Sequence, residues 1–397
     1  MLEPRTIPTA IGGVSTAQAS AGRALGEAIT ALRRGEPVLI RDHQGGALAV
    51  AAELVTEENL RRLRKIVQGP AGMVITRRPA VLGPTPPAEL SGAMAIPVSF
   101  QFPAAVIRSL ADPSESVGSG PSRLAPEPVV AGSAELAAVA LAKLASLLPT
   151  ALVLPVGAAQ AALLARRGEL AAIEAAVVFK RNTAAVGLDR VAEAQVPLAD
   201  AETARLIAFR PRDGGSEHLA ILIGAPDPAA PVLVRLHSES FTGDLLASLR
   251  DDRGDQLRGA IAMIARAGGG VLLYLAQEER GARPINKLRG YHLQDANEQL
   301  GFDADERIYC PAAEMLHQLG FGTVRLLTNN PEKMAALQRY SIRVAELVPH
   351  VFPSNRHNEW HLRTTGTISD KLQGHVGPGY EIWRSCPSAI QSNKRAL

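Results

Sequence analysis

Three apolar, strand-like segments in the second half of the chain each run directly into a cluster of polar side chains. The segments are PVLVRLHSES (231–240), GGGVLLYLAQ (268–277) and TVRLLTNN (323–330). Apolar residues at helical spacing predict helices over 255–266 and 312–319, which separate the three segments. Pro331 follows the last segment and predicts the first turn of another helix. This alternation of strands and helices predicts an α+β (mixed α/β) fold, a mixed sheet with flanking helices.

The polar clusters lie where open sheets bind their ligands, at the ends of strands. They comprise Arg235, His237, Ser238 and Glu239; Gln277, Glu278, Glu279 and Arg280, followed by Asn286, Lys287 and Arg289; and Thr328, Asn329, Asn330 and Lys333. Arginine and lysine beside a helix N-terminus suit phosphate groups. Strand ends are polar in every α/β protein, so a structural role for each cluster is the alternative. The three together predict a site for an anionic ligand, although no GxxxxGK[ST] or GxGxxG loop is present.

The first half has its own pattern of elements. Apolar spacing predicts helices over 24–34 and 56–67, the second capped by Thr56, and strands over 37–42 and 47–55. Further helices over 133–147 and 169–181 enclose a strand at 150–156. The segment 79–128, rich in Pro, Ser and Gly, predicts loop or partly disordered chain, and residues 1–20 predict a flexible lead-in. We therefore expect two domains, over 21–185 and 186–397, each with a mixed sheet.

Charge and composition narrow the range of partners. The net charge of +3 suits an anionic small ligand, and without a long Lys/Arg run it does not indicate nucleic acid. The basic residues of 61–65 are interpreted as the solvated face of a helix. Two cysteines, Cys310 and Cys386, make no disulfide framework and favour a reducing compartment. No signal peptide or membrane span is recognised, so we expect a cytoplasmic protein without membrane contact.

Five long segments point to a family. RLHSESFTGDLLASLR, GVLLYLAQEERG, NKLRGYHLQD, LGFDADERIY and VRLLTNNPEK occur in the order of the motif blocks of GTP cyclohydrolase II. The chain resembles this family from about residue 191 to about residue 373. The resemblance implies an enzyme of riboflavin biosynthesis in which a zinc-activated water opens the imidazole ring of GTP at C8. Formate and pyrophosphate leave, and a diaminopyrimidine is formed. It also implies a homodimer.

The resemblance assigns roles to individual positions. Tyr291 matches the tyrosine that lies beside the guanine ring. Asp305 matches the proton acceptor, and Arg307 matches the group that attacks the α-phosphate. The positions that match GTP contacts are Arg235, His237, Ser238, Glu239, Gln256, Glu278, Arg280, Thr328 and Lys333.

The zinc-binding cysteines of the family are missing. Ser240, Asp251 and Arg253 occupy their positions, and serine is a poor zinc ligand while arginine is not a ligand. Zinc is thus expected from the family, but its ligands are absent and no metal is assigned. The neighbouring acids Asp251 and Asp252 leave open a site for a hard cation such as magnesium. A second open alternative is magnesium that binds together with GTP. Glu279 adds a negative charge near the expected triphosphate, and about seven residues after LQD, which include a GTP-contacting threonine, are missing.

The first half is similar to 3,4-dihydroxy-2-butanone 4-phosphate synthase in EAITALRRGEPVLI, AAELVTEENL and AGSAELAAVALAKLASLLPTALVLPV. The acidic stretch that binds magnesium in that family is reduced here to RDHQGG, with Asp42 remaining, and Ser133 replaces its histidine. We therefore expect no synthase activity.

Two hypotheses follow for the whole chain. One is an enzyme that acts on GTP, either as a full cyclohydrolase or by releasing only pyrophosphate. The other is a non-catalytic paralogue that binds a nucleotide or a sister enzyme and regulates it.

Overall fold

The computed structural model describes residues 16–67, 71–75, 93–98, 102–112, 126–183, 187–212, 215–250, 252–276, 288–289, 309–350 and 352. Their strands form two seven-stranded sheets. Each sheet is mixed and packs against helices on both faces, which confirms the predicted fold class. Among the described helices, none combines the length and the apolar character needed to cross a membrane.

The first sheet has the strand order β5-β4-β3-β6-β2-β1-β7, and only the β1/β7 pair within it is parallel. Its strands are β1 (Val38–Asp42), β2 (Gly45–Ala51), β3 (Ala71–Ile75), β4 (Met94–Val98), β5 (Glu127–Pro128), β6 (Thr150–Gly157) and β7 (Ala171–Glu174). Its helices are α1 (Thr16–Arg33), α2 (Glu57–Ile66), α3 (Ala104–Ala111), α4 (Ala134–Leu144), α5 (Ala158–Arg167) and α6 (Ala175–Thr183).

The first three residues of β1, Val38, Leu39 and Ile40, are apolar and buried because both faces of the strand are covered there. Val38 and Ile40 pack with α1 and α4 in one core, whereas Leu39 packs with α2 and α3 in the other. Helix α2 begins at the predicted cap, where the Thr56 side chain accepts a hydrogen bond from the backbone N–H of Asn59, and Oδ1 of Asn59 accepts one from the backbone N–H of Thr56. The basic residues of 61–65 lie on its exposed face, as predicted.

The second sheet has the strand order β14-β13-β11-β12-β10-β9-β8. Strands β14, β13, β11 and β12 are parallel, and β10, β9 and β8 continue the sheet in antiparallel fashion. The strands are β8 (Leu188–Gln195), β9 (Arg205–Pro211), β10 (His218–Gly224), β11 (Val232–Ser238), β12 (Gly269–Leu275), β13 (Thr323–Leu327) and β14 (Arg343–Val348). Helix α7 (Arg253–Arg266) covers one face, and α8 (Cys310–Gln318) and α9 (Pro331–Arg339) cover the other.

Three local predictions are wrong. The segment 79–128 contains β4, β5 and α3, because apolar side chains at strand and helix spacing are buried between its Pro-rich stretches. Residues 171–174 form β7, which pairs with β1, and the helix begins only after it at Ala175. Helix α1 begins at Thr16, inside the segment predicted as a flexible lead-in.

Candidate functional site

The four parallel strands of the second sheet bring their carboxyl ends to one edge. Strand β11 lies between β12 and β13, in register with both. Because parallel strands point the same way, the segments that follow β11, β12, β13 and β14 meet at this edge. The RLHSE segment, the N-terminus of α9 and the loop after β14 are therefore neighbours.

Arg235 is held by two fixed acceptors at this edge. Its Nη1 donates to the backbone oxygen of Leu327 at 3.0 Å, and its Nη2 donates to Oε1 of Gln256 at 2.6 Å. The residue is only 6% exposed. Gln256 lies on α7, so this contact brings two of the sequence-predicted GTP positions together from different elements. With its Oε1 occupied by Arg235, the amide group of Gln256 is left to act as a donor.

Thr328 and Lys333 reach the same edge from the β13–α9 connection. The Thr328 hydroxyl accepts a hydrogen bond from the backbone of Asn330 at 3.1 Å, which fixes the turn into α9. Lys333 is buried, and its Nζ donates to the backbone oxygen of Leu236 at 3.3 Å. The ammonium group of Lys333 is thereby placed next to β11, one residue beyond Arg235.

His237 belongs to a buried network that the sequence patterns did not reveal. Its Nε2 lies 2.9 Å from Oδ1 of Asp244, and its ring stacks on Tyr274 with centroids 5.6 Å apart. The other oxygen of Asp244 accepts from the Tyr274 hydroxyl at 3.0 Å and from the backbone of Ser240 at 2.9 Å. A histidine seven residues before an aspartate is a weak signal, because only the turn over 241–245 brings them together.

The protonation of this network follows from its burial. Burial lowers the pKa of His237 to about 4, although the Asp244 carboxylate opposes this shift. For Asp244, burial alone would raise the pKa, but the hydrogen bonds from His237, Ser240 and Tyr274 hold it below its usual value. At neutral pH the histidine is therefore neutral and donates from Nε2 to an ionised carboxylate. In this arrangement His237 orients the turn over 241–245.

The residues at the family's zinc positions do not fit that metal. The Ser240 side chain caps the turn over 241–245 by accepting from the backbone of Gly243 at 3.2 Å. Arg253 starts α7 and carries a fixed positive charge, which repels a cation. Within the part of the chain that the structure describes, no group of three His, Cys, Asp or Glu side chains could hold a metal ion. Asp251 lies outside the described residues.

His350 is a further residue of this edge, and sequence reasoning missed it. It follows β14 and is 2% exposed. Burial lowers its pKa to about 2, and the positive charges of Arg235 and Lys333 and the nearby His237 add to this effect. The three groups that influence it are all sequence-predicted site residues. No cluster in the sequence marks His350, because it stands alone between VP and VF.

The other sequence-predicted site residues have mixed outcomes. Ser238 ends β11 and is buried, and Glu239 is half-buried, with its backbone N–H donating to the Leu275 oxygen at 2.9 Å. The remaining predicted positions, Glu278, Arg280, Tyr291, Asp305 and Arg307, lie outside the described residues.

In the first half, the two positions that resemble a synthase site meet at the N-terminus of α4. Ser133 caps α4 by accepting from the backbone of Leu136, and Asp42 Oδ2 accepts from the backbone of Ala134 at 2.9 Å. The other oxygen of Asp42 accepts from the backbones of Gln44 and Gly45. Both carboxylate oxygens are thus committed to the fold.

Comparison with known proteins places this geometry in context. The sequence profile described as GTP cyclohydrolase II matches residues 189–349. A protein from Azospirillum brasilense named "GTP cyclohydrolase-2" is 49% identical over 373 residues, which cover 90% of this chain and 94% of the relative. The alignment leaves at most a tenth of this chain outside, so it includes most of the first half as well.

Other relatives match a shorter part of this chain. A "GTP cyclohydrolase-2" from Pseudomonas aeruginosa (strain LESB58) is 49% identical over 178 residues, covering 43% of this chain and 87% of the relative. Among solved structures, a two-domain 3,4-dihydroxy-2-butanone 4-phosphate synthase from A. baumannii aligns with 82% of this chain and 99% of its own. Its TM-score is 0.34 at 17% identity, which is too low to establish a shared fold.

Proposed function

Because the chain belongs to the GTP cyclohydrolase II family, we propose that it binds GTP at the carboxyl edge of its second sheet and that its zinc-dependent ring opening is impaired or lost. The observation that carries the proposal is the convergence of Arg235, Gln256, Thr328 and Lys333 at one sheet edge. Arginine, lysine and a helix N-terminus are the groups that bind a triphosphate.

The loss of ring opening is supported by the chemistry of the zinc positions. A bound zinc ion would lower the pKa of a water molecule and so supply hydroxide at neutral pH. In this chain the Ser240 hydroxyl caps a turn, and Arg253 is a cation. We derive no catalytic step through a metal for this reason.

Two versions of the function differ in what happens after GTP binds. In the first, the chain is an enzyme that releases pyrophosphate from GTP without opening the ring, and the retained Asp305 and Arg307 of the sequence favour it. In the second, it is a non-catalytic, nucleotide-binding or regulatory paralogue. The second version is favoured by the commitment of Ser240 to a turn and of Asp42 to backbone groups, since both family sites have then lost their metal chemistry.

The domain arrangement is part of the proposal. The strands of the first sheet end at Glu174 and those of the second begin at Leu188, which supports domains over 21–185 and 186–397. The first domain is a degenerate synthase-like unit that no longer binds magnesium. A homodimer is expected from the family resemblance, and a cytoplasmic location is expected from the sequence pattern. Magnesium bound with GTP stays open.

The test is to incubate the purified full-length chain with GTP and magnesium, with and without added zinc. Products are separated by chromatography, and the metal content of the protein is measured. We expect no diaminopyrimidine or formate under either condition, and we expect GTP to bind in a calorimetric titration. Formation of the diaminopyrimidine would overturn the loss of ring opening, and the absence of GTP binding would overturn the proposed function itself.

The products also separate the two versions. GMP with pyrophosphate indicates the pyrophosphate-releasing enzyme, and bound but unchanged GTP indicates the regulatory paralogue. The control is the double variant Asp305→Asn/Arg307→Ala, which must lose GMP formation if these groups perform it.

A further inference from the structure

His350 is anchored beside the predicted phosphate-binding residues through its backbone. Its N–H donates to Oδ1 of Asn329 at 2.8 Å, and its carbonyl oxygen accepts from Nδ2 of Asn329 at 2.6 Å. The neighbouring strand ends are joined as well, because the Thr328 N–H donates to the Val348 oxygen at 3.0 Å. These two connections, Asn329 with His350 and Thr328 with Val348, fix the position of the imidazole at the sheet edge.

The imidazole of His350 has its hydrogen-bonding capacity unused. Both Nδ1 and Nε2 are buried, and neither has a hydrogen-bond partner among the residues that the structure describes. Its ring contact is an edge-on approach to Phe352, with centroids 4.8 Å apart, which satisfies no nitrogen. Buried polar groups without a partner are rare and destabilise a fold. Such a side chain is retained most readily where a ligand supplies the missing partner.

The charge around His350 indicates which ligand that is. The charged and titratable groups that act on it are Arg235 and His237 from β11 and Lys333 from α9. Two cations beside a neutral imidazole disfavour a metal ion and favour a multiply charged anion. A phosphate group offers acceptor oxygens to an imidazole N–H and a counter-charge to the arginine and the lysine at the same time.

We infer that His350 donates a ring N–H to a phosphate oxygen of the bound ligand, beside Arg235 and Lys333, and so contributes to the affinity for the triphosphate group. This inference rests on the proposed function of the same edge.

The experiment compares the full-length chain with two variants by isothermal titration calorimetry and thermal unfolding. His350→Phe keeps an aromatic ring against Phe352 and removes both nitrogens, and His350→Gln keeps an amide donor that cannot be protonated. The control is His317→Phe, which removes an exposed imidazole whose Nε2 already lies 3.0 Å from the Tyr340 oxygen. The probes are inorganic tripolyphosphate, GTP and guanosine.

For His350→Phe we expect tripolyphosphate and GTP to bind about tenfold to a hundredfold more weakly, with an unfolding temperature equal to or above that of the wild type. A weaker affinity without a loss of stability is the result that a structural histidine does not give. His350→Gln, which keeps a hydrogen-bond donor, is expected to lose less affinity than His350→Phe. His317→Phe should bind both probes as the wild type does.

The outcomes separate the inference from the proposed function. If the wild type and His350→Phe bind tripolyphosphate and GTP equally well, the inference is overturned and the proposed function stands. If tripolyphosphate binding depends on His350 but GTP binds no better than tripolyphosphate, the inference stands and guanine-nucleotide recognition fails. A lower unfolding temperature of His350→Phe with unchanged affinity overturns the inference in favour of a structural role.

Discussion

The two sheets share one layered architecture but use their polar side chains in opposite ways. In the first half, acidic side chains accept hydrogen bonds from backbone N–H groups: Glu53 accepts from the Leu148 N–H at 2.6 Å, and Glu57 accepts from the Ala104 N–H at 2.6 Å. The second oxygen of Glu53 pairs with Arg289 of the second half at 2.7 Å. Asp42 binds three backbone N–H groups in the same manner. These carboxylates join segments that are distant in the sequence, so they stabilise the fold.

In the second half, the carboxyl edge gathers cationic and neutral nitrogen groups instead. Arg235 and Lys333 are buried there, and His350 brings two ring nitrogens without a protein partner among the described residues. This difference indicates which half of the chain is expected to bind a ligand. A site whose acids are satisfied by backbone has become structural, whereas a buried, basic edge with unused donors still suits an anion.

The largest expected effect comes from restoring the zinc ligands of the second half. The triple variant Ser240→Cys/Asp251→Cys/Arg253→Cys replaces a hydroxyl, a carboxylate and a cation with the three thiolates of the family pattern. Thiolate sites bind zinc with apparent free energies on the order of 10 kcal/mol or more, so the variant should retain about one zinc per chain after dialysis, while the wild type retains none. Metal analysis of the dialysed proteins measures this directly.

The single variant Ser240→Cys serves as the control, since one thiolate beside the Arg253 cation does not make a zinc site. Retention of about one zinc per chain by the wild type would show that the edge binds zinc through other groups, and the comparison between the two halves would then be wrong. Absence of zinc from both proteins would show that the three positions do not form a zinc site.

The next effect is the acid sensitivity of the second half. Burial lowers the pKa of His218 and of His237 to about 4 and that of His350 to about 2. Their pKa in the unfolded chain is near the ordinary value of about 6.5, so below that pH the unfolded state binds more protons and the free energy of unfolding falls. Each histidine contributes up to about 1.4 kcal/mol per pH unit between pH 6.5 and its native pKa. Urea unfolding followed by circular dichroism at pH 7 and pH 5 measures the loss.

The first half should not share this sensitivity, because His43 is its one histidine in the sequence up to residue 188 and it is exposed. Pulse proteolysis at pH 5 with identification of the fragments should therefore release peptides of the second sheet at lower urea than those of the first. His350→Phe should reduce the pH dependence of the free energy of unfolding by about a third, because it removes one of the three buried histidines. If peptides of both sheets are released at pH 5 at the same urea concentration as at pH 7, the acid sensitivity does not belong to the second half.

A smaller effect distinguishes the roles of Arg235 and Asp42. Arg235→Ala removes the guanidinium group that Gln256 and the Leu327 oxygen hold in place, and we expect about a hundredfold weaker GTP binding. Asp42→Asn should leave GTP affinity within about twofold and lower the unfolding temperature, because it weakens carboxylate hydrogen bonds to backbone N–H groups. Titration calorimetry and thermal unfolding of both variants measure the two quantities. Loss of GTP binding in Asp42→Asn would show that the first half takes part in the site.

The sequence predicts most strands of the second sheet because their runs of apolar side chains form a clear pattern. It does not predict positions whose burial depends on tertiary partners. The run PVLVRLHS is apolar enough to predict a strand, and Arg235 and His237 of the predicted polar cluster lie on that strand. The sequence pattern over 169–181 predicts a helix across β7, because AAIE carries no pattern of its own and becomes a strand only beside β1. His350 could not be found, since it joins the site through Asn329 and the fold of four parallel strands rather than through any spacing in the sequence.

The smallest expected effect tests whether Ser133 is now purely structural. The sequence resemblance matches Ser133 to the synthase histidine, and its hydroxyl accepts from the Leu136 N–H at 3.2 Å at the start of α4. Ser133→Ala should lower the free energy of unfolding by about 1 kcal/mol, because one N–H at the helix start loses its acceptor, and Ser133→Asp should keep most of the stability by capping the helix in the same way. GTP affinity should be unchanged in both variants, since the capped helix belongs to the first sheet. Equal stability of Ser133→Ala and the wild type would show that the hydroxyl does not stabilise α4. A change in GTP affinity would show that α4 acts on the edge of the second sheet, and the two halves could then no longer be treated as one structural and one ligand-binding unit.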